Sequence, residues 1–155
     1  IDSVKETILT QERKEIMSDE KKFEAFKRQA LEDFGRTYEA ESRSKYGDAE
    51  VDSMLARIKG TTQEQYAEWE RLGQAILEKL SAAVATGADP AGEKGKEIVD
   101  LHCRWLTVTE DKYDVPHHRG LAELYVQDER FTAYYDKEQP GCAQFLRDAV
   151  LAWVH

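Results

Sequence analysis

Between Tyr66 and Val84 the apolar residues Tyr66, Trp69, Leu72, Ile76, Leu77, Leu80 and Val84 recur at steps of three and four. That spacing puts them on one face of a helix and excludes a strand, whose buried residues alternate. Thr61 or Thr62 can cap this helix, Thr62 with Gln65 has the capping-box spacing, and the helix should end near Gly87. In the loop TGADP that follows, Asp89 is the expected N-cap of a second helix with Pro90 at its first position, where the missing N–H costs nothing. Ile98, Val99, His102 and Leu106, with Trp105 on or beside them, form the inner face of that helix, which should break around Lys112 to Pro116. A short helix over HHRGLAELYV, another capped by Asp128 and carrying Phe131, Tyr134 and Tyr135, and a last one from about Cys142 with Phe145, Leu146, Ala149, Val150 and Trp153 complete the pattern. No strand alternation and no internal repeat is visible. The expectation is an all-α chain of about six or seven helices.

The first 50 residues differ in kind. Charges of both signs are interspersed and apolar residues are isolated anchors. Ile1, Val4 and Ile8 follow a heptad-like step that fades at Gln11 and Glu15, as at the end of a coiled coil. Ser18 is positioned to start a new helix, with Asp19 and Glu20 in its first turn and Phe23, Phe26, Ala30 and Phe34 along one face. So narrow a stripe cannot hold a helix by itself; it must dock on the rest of the chain, on a ligand or on another subunit. The expected division is a linker helix over residues 1–16, lid helices over residues 17–60 and a core over residues 61–155.

At 155 residues the chain has room for one main domain. Its 22 Lys and Arg against 31 Asp and Glu give a formal net charge of −9, which repels phosphate, so neither DNA nor an anionic membrane is an expected direct partner. Apolar runs fall short of a bilayer span and no signal-peptide pattern opens the chain, which reads as soluble and cytoplasmic. Cys103 and Cys142 are too few for a disulfide scaffold and lack CxxC spacing. A start at Ile1 rather than Met reads as a piece of a longer protein or a processed one.

Few residues offer chemistry. His117 and His118 are neighbours that diverge by about 100° on a helix, as do His102 and Cys103, so neither pair forms a ready metal site. His102 reads as a core histidine bonded to a carbonyl, with a proximal haem ligand as the alternative. Cys103 and Cys142 read as small buried residues, with Cys142 at a helix start the better placed for a lowered thiol pKa. No catalytic or phosphate-binding motif occurs, and no cofactor or metal is expected. The aromatic residues remain. Trp69, Trp105, Tyr113, Tyr125, Phe131, Tyr134 and Trp153 are core candidates by their spacing or walls of a cleft for a large apolar ligand, and Tyr113, on a helix break, is best placed to face a ligand.

The segment HHRGLAELYVQDERFTAYYD followed by GCAQFLRDAV resembles the C-terminal half of the TipAS antibiotic-recognition domain. The matching residues are His118, Arg119, Gly120, Leu121, Tyr125, Val126, Asp128, Arg130, Phe131 and Thr132, then Gly141, Phe145, Leu146, Arg147, Asp148 and Ala149. Upstream, Lys45 to Gly47, the Thr62 turn with Tyr66 at the family's usual Trp position, the loop before Pro90, and His102 fall in place, and Met17 to Lys27 resembles the segment that joins such a domain to the dimerisation helix of MerR-type regulators. The resemblance implies a globin-like all-α domain without haem that binds bulky antibiotics, thiopeptides among them, in a cleft over which its N-terminal helices fold. It implies a homodimeric full-length activator that reaches DNA through a winged-helix region absent from this chain, or else a domain made alone that sequesters drug. Trp69, Trp105, Tyr113, His118 and Tyr125 are the residues assigned to the ligand, with His118 and Arg119 equally suited to holding their helix to neighbouring backbone. Where the family's prototype has a thiopeptide-capturing Cys, this chain has Tyr113, so capture should be reversible.

Overall fold

The computed structural model describes residues 2–109 and 112–155, and of residues 2–19 only the helical backbone and the Val4 side chain. Among the described residues there is no strand, and the chain is eight helices: α1 Asp2–Thr37, α2 Glu39–Tyr46, α3 Asp48–Gly60, α4 Gln63–Ala85, α5 Glu93–Thr107, α6 Val115–Gln127, α7 Glu129–Asp136 and α8 Cys142–Trp153. They form two compact units, Ile1–Gln63 and Glu64–His155. Among the described residues no helix is long and apolar enough to cross a membrane.

In the first unit, α1 runs without a break through Ser18, where a helix start was expected. Serine costs only a few tenths of a kcal/mol in a helix interior, less than ending and restarting the helix. The heptad-like step of Ile1, Val4 and Ile8 lies outside the described side chains, apart from Val4, which is exposed. The chain turns at Gly47, whose φ of 88° suits glycine, and Arg43 there holds Glu39, Asp48 and Asp52 at 2.9–3.0 Å, joining α2 to α3. Lys27 of α1 donates to the carbonyls of Lys59 and Thr61 at the end of α3, at 3.2 and 3.4 Å, where a helix C-terminus favours a cation. An open cleft of about 380 Å³ beside it is lined by Glu24, Lys27, Arg28, Leu31, Glu32 and Lys59. Five of those six side chains are charged, so the cleft does not suit a large apolar ligand. Val51 is the one side chain of α2 and α3 that is fully buried. The shortage of core visible in the sequence is thus present among the described side chains of the unit.

The second unit holds a continuous apolar core built from one face of each helix. Ile76, Leu77, Leu80 and Ala83 of α4 meet Ile98 and Val99 of α5, Ala122 and Tyr125 of α6, Tyr135 of α7, and Phe145, Leu146, Ala149 and Val150 of α8. Burial of a side chain such as Leu80 or Leu146, each fully enclosed, stabilises the fold by ~1.5–3 kcal/mol. Trp153, expected on the inner face of α8, is exposed, with the Lys96 ammonium 5.7 Å from its ring.

Local stop and start signals fix the helix ends. Gly87 at φ 67° closes α4, with Ala88 N–H donating to the Ala83 carbonyl at 2.9 Å and Gly87 N–H to the Val84 carbonyl at 3.1 Å, a Schellman ending. Asp89 caps a turn rather than α5: its carboxylate accepts from Ala91 N–H at 3.0 Å, and α5 starts four residues after Asp89, at Glu93. Gly95 allows this entry, since a Cβ there would lie 1.8 Å from the Pro90 carbonyl oxygen. Asp114 caps α6, accepting from His117 N–H at 2.8 Å with Pro116 in the first turn, and Asp128 caps α7 as expected. Gly141 at φ 99° turns the chain into α8, whose first turn gains the Asp136 carboxylate as acceptor for Ala143 N–H at 2.9 Å.

A buried histidine pair inside an aromatic array

Helices α5 and α6 of the second unit each place one histidine on their inner face. His102 follows Ile98 and Val99 along α5, His118 sits one turn into α6, and both are fully buried. Buried imidazoles need partners. Here they are each other's: His102 Nδ1 lies 2.7 Å from His118 Nε2. The outer nitrogens are taken by tyrosines, His102 Nε2 lying 3.2 Å from the Tyr125 hydroxyl and His118 Nδ1 lying 2.6 Å from the Tyr113 hydroxyl. The half-buried Cys103 thiol donates to the Tyr113 oxygen at 3.6 Å and stands 3.8 Å from His118 Nδ1. A chain of polar groups therefore runs Cys103, Tyr113, His118, His102, Tyr125 from the exposed α5–α6 loop to the core, and no described buried side-chain polar atom is left unpaired.

The electrostatics follow from the geometry. Burial holds the His102 imidazole down to about 3, with repulsion from a charged His118 second, and holds His118 to about 4, with His117 second. Both rings are neutral at pH 7. Burial and the hydrogen bond from Cys103 raise the Tyr113 hydroxyl, and burial raises the Cys103 and Cys142 thiols, so neither cysteine is a thiolate.

The imidazoles also end a column of stacked rings. Tyr66 and Trp69 of α4 have centroids 6.2 Å apart, Trp69 and Trp105 5.2 Å, Trp105 and His102 5.5 Å, and His102 and His118 4.8 Å, with interplanar angles of 15–29° throughout. Gly73 makes room for it: a Cβ there would stand 3.3 Å from the Trp105 indole nitrogen. Tyr66, Trp69 and Trp105 are part-exposed and Tyr113 is 41% exposed.

All five residues expected at the ligand, Trp69, Trp105, Tyr113, His118 and Tyr125, belong to this one array, although Tyr125 is 3% exposed and lies beneath the surface. The hub that joins them is His102, which bonds His118 and Tyr125 rather than a backbone carbonyl. Both its ring nitrogens are engaged, so the haem-ligand alternative has no free nitrogen to use. Cys103, ten residues before Tyr113, comes back beside it through the α5–α6 turn, and Cys142 is a buried core residue. Arg119 holds backbone: its guanidinium donates to the carbonyls of Leu151 and Val154 at 3.1 and 2.6 Å, fastening α6 to the end of α8. Phe131 and Tyr134 are on the exposed side of α7. Among the described residues no group of three or more His, Cys, Asp or Glu is arranged to hold a metal.

The chain is 30% identical over 142 residues to the HTH-type transcriptional activator TipA of Streptomyces coelicolor, an alignment covering 88% of this chain and 53% of that protein. It is 25% identical to the HTH-type transcriptional activator mta of Bacillus subtilis, over 99% of this chain and 59% of the relative, and 25% identical to the HTH-type transcriptional regulator SkgA of Caulobacter vibrioides, over 99% and 60%. The chain thus spans between half and two-thirds of these relatives' length. No solved structure matches it significantly. The family model for the TipAS antibiotic-recognition domain matches residues 38–153, about three-quarters of the chain and every residue of the array, and the chain belongs to that family.

Proposed function

We propose that this chain is the effector-binding part of a MerR-type transcriptional activator, and that bulky, largely apolar antibiotics such as thiopeptides bind reversibly against the Trp69, Trp105, Tyr113 and His118 array. One observation carries the reading: the five residues that sequence pattern and family resemblance together assign to ligand contact form a single connected array inside the matched part of the chain. Part-exposed stacked indoles offer flat apolar area, and the Tyr113–His118 pair offers a polar handle beside it, the combination that fixes a large ligand's orientation. Tyr113 stands where a capturing thiol would be, and the adjacent Cys103 thiol is held neutral by burial, which favours reversible binding.

The proposed output is ligand-driven ordering. The unit containing residues 18–50 has little core of its own, so apolar contact with a bound ligand stabilises its closed arrangement, and the change passes along α1, a 36-residue helix ~54 Å long, toward a DNA-binding region. The length of α1 favours this over a domain that only sequesters drug, which has no use for such an extension. A thermal-shift screen of thiopeptides and other bulky antibiotics, read beside amide exchange in residues 18–50, tests both parts. The expected result is a raised melting temperature with slowed exchange in that segment. A hit that leaves its exchange unchanged removes the ordering mechanism, and the absence of any hit removes the binding role.

A further inference from the structure

Resting on that binding role, we infer that the Tyr113 hydroxyl is a built-in occupant of a polar subsite at His118 Nδ1, which a ligand hydroxyl, amide or ring nitrogen replaces, the two imidazoles changing tautomer together to meet either a donor or an acceptor. Three features of the site carry this. Tyr113 is the most exposed member of the polar chain and sits on the loop between α5 and α6, so its ring leaves without opening the core. The Cys103 thiol, 3.8 Å from His118 Nδ1, supplies a second partner for that nitrogen while Tyr113 is away, which lowers the cost of the exchange. The aromatic column beside the subsite leads from His102 to the part-exposed Trp105 and Trp69, so a molecule bonded to His118 has flat apolar surface next to it.

The tautomer coupling follows from counting protons. Two neutral imidazoles 2.7 Å apart share one N–H between them, and only two arrangements satisfy every bond in the chain. In one, Tyr113 O–H donates to His118 Nδ1, His118 Nε2–H to His102 Nδ1, and His102 Nε2–H to the Tyr125 oxygen. In the other, Tyr125 O–H donates to His102 Nε2, His102 Nδ1–H to His118 Nε2, and His118 Nδ1–H to an acceptor at the mouth. Each ring carries one N–H and Tyr125 one O–H in both. The arrangements therefore differ in no charge and no proton count, and they interconvert by exchange with water. A single fixed N–H would reject a ligand group that can only donate, because a buried group left unpaired is costly. The paired rings avoid that rejection.

The test uses the whole chain with Tyr113→Ala, which vacates the place in front of His118, and three small probes of similar size: phenol as donor, pyridine at pH 7.5 as acceptor, and benzene with neither. Binding is measured by titration, and tautomers by long-range proton–nitrogen NMR of ¹⁵N-labelled histidine. Phenol and pyridine should each bind about tenfold or more tightly than benzene, as one added hydrogen bond in a dry site allows. Phenol should give the Nε2–H tautomer of His118 and pyridine the Nδ1–H tautomer, with His102 switching in step. Equal affinity for benzene, or the same His118 tautomer with both polar probes, overturns the inference. Tyr113→Phe keeps the ring and supplies a check should the alanine variant not fold: a melting temperature lowered by less than about 4 °C fits a replaceable occupant, and a larger loss makes the hydroxyl a structural strut. A chain that binds thiopeptides but fails the probe comparison keeps the proposed function and loses this subsite; success with the probes but no bulky antibiotic bound does the reverse.

Discussion

Acidification to pH 5 should destabilise this fold through its two buried histidines. Their imidazoles titrate near 3 and 4 in the folded chain against an ordinary value of about 6.5 in the unfolded one. Both folded values are lowered, so the stabilisation is complete above about pH 6.5 and is lost as pH falls toward the folded values, while only the unfolded chain takes up protons. At pH 5 the unfolded state holds nearly two more protons than the native state at these sites. Integrated from pH 7 to pH 5, and with the share of His118 discounted for screening by solvent near the Tyr113 mouth, the loss is about 3 kcal/mol. Glu68 is held below the usual carboxylate range by its hydrogen bonds from Arg71. Calorimetric unfolding at pH 5 in buffers of different ionisation enthalpy counts the protons directly. An uptake close to two, falling by about one in His118→Gln, is expected; an uptake below one would mean that the pair is charged or solvated in the native state and would refute the buried neutral array.

Other substitutions probe the frame around the site. Gly95→Ala places a Cβ against the Pro90 carbonyl, which is backbone and cannot swing aside, so chemical denaturation should show a loss of about 3 kcal/mol or more, or no folded protein. Arg119→Met removes two charge-assisted bonds to the end of α8 and should cost about 2 kcal/mol, with amide exchange accelerated first at Leu151 to Val154; unchanged exchange there would show that Arg119 does not hold that end. Trp105→Leu should weaken antibiotic binding at least tenfold while far-UV circular dichroism stays the same; retention of full affinity would place the ligand elsewhere.

The parts of this fold that the sequence reveals are those set by local spacing. The stripe from Tyr66 to Val84, the Asp128 cap and the start of α8 at Cys142 each depend on residues within a turn or two, and each stands where the pattern put it. Pro90 misleads about the start of α5 because the actual entry depends on the backbone of Gly95 meeting the Pro90 carbonyl, a contact no local signal encodes. Ser18 misleads because a capping residue is also a tolerable helix interior. At the site, sequence pattern and family resemblance together found the members but not their connection. His102 and His118 are sixteen residues apart on different helices, and their 2.7 Å bond exists only once α5 and α6 pack together. The cue that was available is that two histidines on the inner faces of packed helices need polar partners, and the nearest unassigned polar side chains were each other.

The central claim is that the Trp69–Trp105–His118 array is where an effector binds. The most direct measurement is an NMR titration of the labelled chain with a thiostrepton-type thiopeptide, following the indole N–H signals of Trp69 and Trp105 and the ring nitrogens of His118, with intact mass taken after denaturation. Saturable shifts at all three residues with an unchanged mass are predicted. Saturable binding that leaves these signals unmoved would place the ligand elsewhere and contradict the account.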